Sequence, residues 1–156
     1  MIEAGRFWVP GPTEVRPELL DVMRRPMIFH RTPEMEALMQ RVTSRLQTMF
    51  GARRAVHVIS ASGTAAMELA IRNGSVKKVL AIVHGNFGER FAKMAEASGR
   101  AVVRLKSPLG NAVPLDDVRK ALAQGGFDAV TATHNETATG VLSPMTELGT
   151  WAAPRA

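Results

Sequence analysis

Val79-Leu80-Ala81-Ile82-Val83 is apolar at every position, with none of the alternation of a strand that shows one face to water. A strand of this kind must be covered on both faces, which a parallel sheet with helices above and below it achieves. The flanking sequence supplies the remaining pieces. Ala55-Val56-His57-Val58-Ile59-Ser60 reads as a strand, followed by a helix from Thr64 to Arg72. After the apolar run, His84-Gly85-Asn86 leads into a helix ending at Gly99, and Ala101-Val102-Val103-Arg104-Leu105 is a further strand. Pro114 to Gln124 is a helix with Leu115, Val118 and Leu122 inward, and Ala129-Val130-Thr131-Ala132-Thr133 is a fourth strand. Strands separated by helices give an α/β class with a mostly parallel sheet and flanking helices.

The sequence before this alternation is of another kind. Phe7 to Val15 holds Pro10 and Pro12, which forbid a helix and push the preceding residues toward extended backbone. Pro17 opens a short helix through about Arg25, and Thr32-Pro33 opens a longer one ending near Gly51. On the longer helix Met35, Leu38, Met39, Val42, Leu46 and Met49 form one apolar stripe, expected to be a buried core face rather than a methionine-rich groove. These boundaries predict an N-terminal segment over 1–54, an α/β region over 55–148 and a divergent tail over 149–156. Ser143-Pro144 starts a helix with Met145 and Leu148 as its first apolar positions, yet the chain stops soon after Gly149 and reads as cut one turn into that helix.

Composition narrows the function classes. With 46% hydrophobic and 22% charged residues, the 156-residue chain has the make-up of an ordinary globular domain. Its apolar runs fall far short of the roughly 20 residues that span a bilayer, and Met1 to Gly11 has no apolar leader core. The net charge of +6 comes from scattered arginines, with pairs such as Arg24-Arg25 and Arg53-Arg54 but no basic run, so no nucleic-acid partner is expected. The absence of cysteine excludes disulfides and thiolate chemistry and suits a cytoplasmic protein.

In an open parallel sheet, ligands bind outside the carboxyl ends of the strands, where three loops of this chain fall. Ser60-Ala61-Ser62-Gly63-Thr64 precedes a helix whose first N–H groups are unpaired, so Gly63 and the Ser62 and Thr64 hydroxyls either cradle a phosphate or merely cap the helix. Phe87, in His84-Gly85-Asn86-Phe87-Gly88-Glu89-Arg90, either stacks on a flat heterocycle or plugs the sheet–helix interface. His134-Asn135-Glu136-Thr137-Ala138-Thr139-Gly140-Val141 puts four hydrogen-bonding side chains in succession and suggests a binding surface rather than a packed turn. The histidines His30, His57 and His134 have no metal-ligand spacing. A phosphate seat, an aromatic plane and a set of hydroxyls suit a phosphorylated aromatic cofactor, of which pyridoxal phosphate is the obvious candidate.

Five segments occur in an order that resembles the N-terminal part of class V, fold-type-I aminotransferases of the alanine–glyoxylate and serine–pyruvate type. They are Pro10-Gly11-Pro12-Thr13-Glu14-Val15, His30-Arg31-Thr32-Pro33-Glu34, Ser62-Gly63-Thr64-Ala65-Ala66-Met67-Glu68, Asn86-Phe87-Gly88-Glu89-Arg90 and the stretch from His134 to Val141. The resemblance covers about residues 6 to 148. It implies a pyridoxal 5'-phosphate enzyme, a homodimer, moving an amino group between a small amino acid such as alanine or serine and a 2-oxo acid such as glyoxylate or pyruvate. Residue by residue it implies phosphate binding at Ser62, Gly63 and Thr64, ring stacking by Phe87, a hydroxyl near the ring from Thr137, and Gly11 bordering the substrate pocket. It also implies a Schiff-base lysine several dozen residues beyond the His134 loop, whereas the lysines here are Lys77, Lys78, Lys93, Lys106 and Lys120, all before it. No catalytic residue is therefore assigned, and the chain is expected to be shortened and inactive alone. The contrasting reading is a non-catalytic α/β binding module that keeps the fold.

Overall fold

The computed structural model describes residues 7–152. Residues 1–6, where no apolar leader core is expected, and residues 153–156 of the expected tail lie outside the described residues. Two compact units divide the chain, Met1–Ser60 and Ala61–Ala156.

In the first unit, Pro17 and Pro33 open α1 (Pro17–Met23) and α2 (Pro33–Phe50), where a missing N–H costs nothing. Thr32 caps α2 by accepting from Met35 N at 3.3 Å, and Gly51 ends it at φ +58°. The expected burial of the α2 stripe does not occur. Met35, Leu38, Val42 and Leu46 are only half-buried, while Met39 and Met49 are exposed. An apolar stripe is buried only when a second apolar layer closes over it, and no described element of this unit does so. The strand expected over Ala55–Ser60 is also absent. Its backbone is without ladder partners, and Val58 and Ile59 are exposed.

The second unit is a three-layer α/β sandwich. It runs α3 (Gly63–Gly74), β1 (Lys78–Val83), α4 (Asn86–Ala97), β2 (Ala101–Lys106), α5 (Leu115–Ala123), β3 (Ala129–Thr131), β4 (Asn135–Glu136), β5 (Val141–Leu142) and α6 (Met145–Ala152). The apolar run is the middle strand of a sheet ordered β2-β1-β3, parallel to both neighbours. Leu80 and Ile82 face one way and pack with Val113, Val118, Ala121 and Leu148. Val79, Ala81 and Val83 face the other way, against Ile71, Ala92 and Ala95 of α3 and α4. The period of two along β1 thus decides which helix layer each side chain meets.

Two further expectations are corrected. The fourth strand stops at Thr131, because β3 pairs only with Val79 to Ala81 of β1. The helix started by Ser143-Pro144, expected to be cut after one turn, runs over Met145–Ala152, and its Leu148 is 5% exposed in the core. The chain thus runs well past the first turn of α6.

Asp128 fixes the start of the sheet. Its carboxylate accepts from the backbone N–H of Lys77 at 2.5 Å, Val76 at 2.7 Å and Lys78 at 3.1 Å. The bond from Lys77 leads the set that holds this carboxyl below its ordinary value, against the opposing effect of desolvation. Such a carboxylate stabilises the fold above its unfolded pKa of about 3.9 and ceases to do so as pH falls through the lower folded value. Asp128→Asn is expected to lower the urea midpoint at pH 7, and the gap to wild type should close as pH is taken below about 3.9. A core counterpart is Leu80, which is fully buried. Leu80→Ala should cost about 2–5 kcal/mol in the same urea titration.

Candidate functional site

All three loops singled out in the sequence contribute to the carboxyl end of the sheet. β1 and β3 are neighbours, so the turn after β1 and the polar stretch after β3 start side by side. α3 precedes β1 and runs back along it, which brings the N-terminus of α3 to the same end. The side chains at these three places meet through one cation. The Arg90 guanidinium lies 4.9 Å from the centre of the Phe87 ring, and its Nη1 donates to Thr64 Oγ1 at 3.1 Å. Arg90 is three residues beyond Phe87, on the same face of α4.

Two helix N-termini therefore open at this end, and they differ. At α3, Ser62 accepts from Ala65 N at 3.4 Å, and Ser62, Gly63 and Thr64 are exposed. Capping and ligand reach coexist here, since a single side-chain oxygen leaves other N–H groups of the first turn free. At α4 the position is filled from within. Glu136, on β4 and completely buried, accepts from Phe87 N at 3.0 Å and from Gly88 N at 3.1 Å through Oε2. Its Oε1 accepts from Ala138 N at 3.3 Å. A carboxylate on the positive end of a helix, bonded to two of its orphan amides, is a stable way to bury charge.

The polar stretch is thus both a packed turn and a surface. β4 and β5 pair antiparallel, Asn135 with Leu142 and Glu136 with Val141, so alternation turns Glu136 inward and leaves Asn135 and Thr137 exposed, and His134, just ahead of β4, is exposed as well. Thr139 Oγ1 donates to the His84 carbonyl at 3.1 Å, a second tie between this hairpin and the turn after β1. His84 is buried and structural. Ser143 Oγ donates to Thr133 O at 2.7 Å, so it accepts at 3.1 Å from His84 Nε2, which carries the proton.

Glycine is needed where these elements converge. A Cβ on Gly85 would collide with Glu136 Cγ and Cδ, and one on Gly88 would lie 2.8 Å from the Ile82 carbonyl oxygen. By contrast, a Cβ on Gly63 or Gly11 would meet nothing within 4 Å. Gly11 lies in the first unit, exposed.

Charge around Glu89 holds α4 on β2. Glu89 meets Arg104 at 3.2 Å and Lys106 at 3.2 Å, and Arg104 also meets Glu96 at 2.6 Å. Partial burial pushes the Glu89 carboxyl up, but the Lys106 bond and the Arg104 charge outweigh it and hold it below its ordinary value. The bond to Glu96 raises Arg104 above its ordinary value. Lys106, the lysine at the carboxyl end of β2, is thereby engaged rather than offered to a ligand. Among the described residues no cluster of His, Cys, Asp and Glu could hold a metal ion, and no helix is long and apolar enough to cross a membrane.

Two residues of this region were not singled out individually in the sequence, Glu136 and Arg90. The three-residue step from Phe87 was a readable signal for Arg90. For Glu136 there was none, because a two-residue strand is too short to show its period.

Known proteins similar to this chain include several aminotransferases. It is 40% identical over 144 residues to an uncharacterized aminotransferase of Methanocaldococcus jannaschii, covering 90% of this chain and 37% of the relative. It is 33% identical over 151 residues to the L-aspartate–glyoxylate aminotransferase of Paracoccus denitrificans, covering 93% of this chain and 38% of that protein. The solved alanine–glyoxylate aminotransferase of Nostoc sp. superposes with a TM-score of 0.83 at 30% identity, covering 92% of this chain and 40% of that one. The chain thus spans well under half the length of the relatives it matches. No family model matches it.

Gly88→Ala is expected to destabilise the second unit by about 1–3 kcal/mol in urea unfolding, the usual cost of overpacking. Gly63→Ala, with open space around it, should stay within about 1 kcal/mol of wild type.

Proposed function

We propose, for a chain whose relatives and structural neighbours include alanine–glyoxylate and other aminotransferases, that it forms the part of a class V aminotransferase that seats pyridoxal 5'-phosphate. The observation that carries this reading is the Arg90 bridge. One guanidinium touches both the Phe87 ring and the Thr64 hydroxyl, so an aromatic plane and an open helix N-terminus lie within a single side chain's reach.

The residues suit the group. The α4 N-terminus is already neutralised by Glu136, so a phosphate is left to α3, where Ser62, Gly63 and Thr64 are exposed. The Ser62 and Thr64 hydroxyls and the first N–H groups of α3 would hold the phosphate, with the Arg90 charge beside them. Phe87, half-buried on α4, would back the ring, and Thr137 would offer its hydroxyl from the hairpin. When bound, pyridoxal phosphate supplies the electron-withdrawing ring that carries an amino group between substrates. The part of these residues is to bind and orient it.

The substrates in this reading are a small amino acid and a 2-oxo acid, with Gly11 bordering their pocket. The working form is a homodimer in the cytoplasm. The last lysine of the sequence is Lys120, ahead of the His134 loop, so none of the five lysines matches the family's Schiff-base position. We accordingly infer that these 156 residues alone do not turn over.

The test uses 4'-deoxypyridoxine 5'-phosphate, which has the ring and phosphate but no aldehyde to react with surface lysines. Binding followed by ring fluorescence should weaken about 3- to 10-fold in Ser62→Ala or Thr64→Ala, the worth of one hydrogen bond. Unphosphorylated 4'-deoxypyridoxine should bind far more weakly to wild type. Equal binding by wild type and both variants would overturn the assignment of the phosphate seat.

A further inference from the structure

We propose that Glu136 is a positioning residue that sets the Phe87 ring and the Thr137 hydroxyl in register as one clamp on the cofactor ring, separate from the phosphate seat on α3. The proposal rests on the cofactor reading above and assigns a residue to it that touches neither ring nor phosphate.

The geometry is a closed loop of contacts. Glu136 Oε2 holds Phe87 N at 3.0 Å and Gly88 N at 3.1 Å, which fixes the first turn of α4 and the root of the Phe87 side chain. Glu136 Oε1 holds Ala138 N at 3.3 Å and Phe87 N at 3.3 Å. Thr137 lies between Glu136 and Ala138 in the chain, so its backbone is enclosed by a bond from its own neighbour's side chain. One carboxylate therefore ties the residue that bears the ring to the residue that bears the hydroxyl.

Three features indicate that this site is built for position. Glu136 is completely buried, so its charge is satisfied by these amides and not by water. Gly85 leaves the space its side chain occupies, because a Cβ there would overlap Glu136 Cγ and Cδ. Thr139 Oγ1 on the His84 carbonyl, at 3.1 Å, closes the far side of the hairpin and prevents Glu136 from swinging out with it. The phosphate seat shares none of these bonds. It rests on Ser62 and the first turn of α3, and its one link to α4 is the separate bond from Arg90 to Thr64, in which Glu136 takes no part.

This separation makes the proposal testable. A purely structural Glu136 would affect every ligand of this end of the sheet alike, whereas a ring-positioning Glu136 affects only ligands with a ring. The full chain, Glu136→Gln and Glu136→Ala would each be titrated with 4'-deoxypyridoxine 5'-phosphate and, separately, with inorganic phosphate. Proton NMR would follow the ring-current shift that Phe87 imposes on the analogue's methyl groups. Glu136→Ala should weaken the analogue about tenfold or more and erase the ring-current shift, with phosphate affinity within twofold of wild type. Glu136→Gln should fall between, because its amide keeps one oxygen for the α4 amides but turns a donor toward Ala138 N. Where Glu136→Ala fails to fold, the near-isosteric Gln variant carries the measurement. Wild-type binding lost in Thr64→Ala but unchanged in the folded Glu136 variants overturns this proposal alone, as does an equal loss of phosphate and analogue. No analogue binding by wild type overturns the cofactor reading and this one together.

Discussion

The central strand β1 is the constraint on which the second unit depends. It is hydrogen-bonded on both edges and covered on both faces, so after Lys78 at its start nothing polar is placed along it and its side chains cannot be shared between layers. Leu80 and Ile82 commit one face to α5 and α6, while Val79, Ala81 and Val83 commit the other to α3 and α4. Once these two sets are buried, α3 and α4 are held against the same face. Their N-termini then emerge together at the carboxyl end of the sheet. The site is in this sense a consequence of a strand that contributes no atom to it.

What happens at the two N-termini follows from electrostatics. A helix start carries unpaired amides and roughly half a positive charge, and it needs an anion or a cap. The two here receive different solutions. α4 takes an internal carboxylate, Glu136, at the cost of burying it completely. α3 takes only the Ser62 hydroxyl and remains open to solvent. An internal anion at one helix and none at its neighbour directs any external anion to α3. Arg90 strengthens that direction, since its charge sits on Thr64 and against the Phe87 ring.

The layout of the α/β unit was legible in the sequence because its signals are local. The all-apolar strand β1, the Ser62 cap, the amphipathic α5 and the left-handed Gly99 beyond α4 are each decided by a few neighbouring residues. The misses are of the opposite kind. Ala55–Ser60 has the composition of a strand, but a strand exists only where a ladder partner lies beside it, and none does among the described residues. The stripe on α2 is correctly periodic, yet burial depends on what covers it. Both are cases of sequence stating a preference that needs a partner to be realised.

Glu136 shows the same limit at the level of a single residue. In the sequence it is one polar residue among Asn135, Thr137 and Thr139, and the whole stretch reads as a surface. Its burial is decided by the pairing of Glu136 with Val141 across a two-residue ladder, and by the space that Gly85 leaves about fifty positions earlier in the chain. Neither fact is local. The pairing explains why the exposed residues of the stretch are the ones suited to meet a ligand. A hairpin alternates its side chains, so burying Glu136 to hold α4 necessarily turns Asn135 and Thr137 outward beside it. Anchoring and presentation are thus two faces of one short strand, and a substitution that loosens the first should disturb the second.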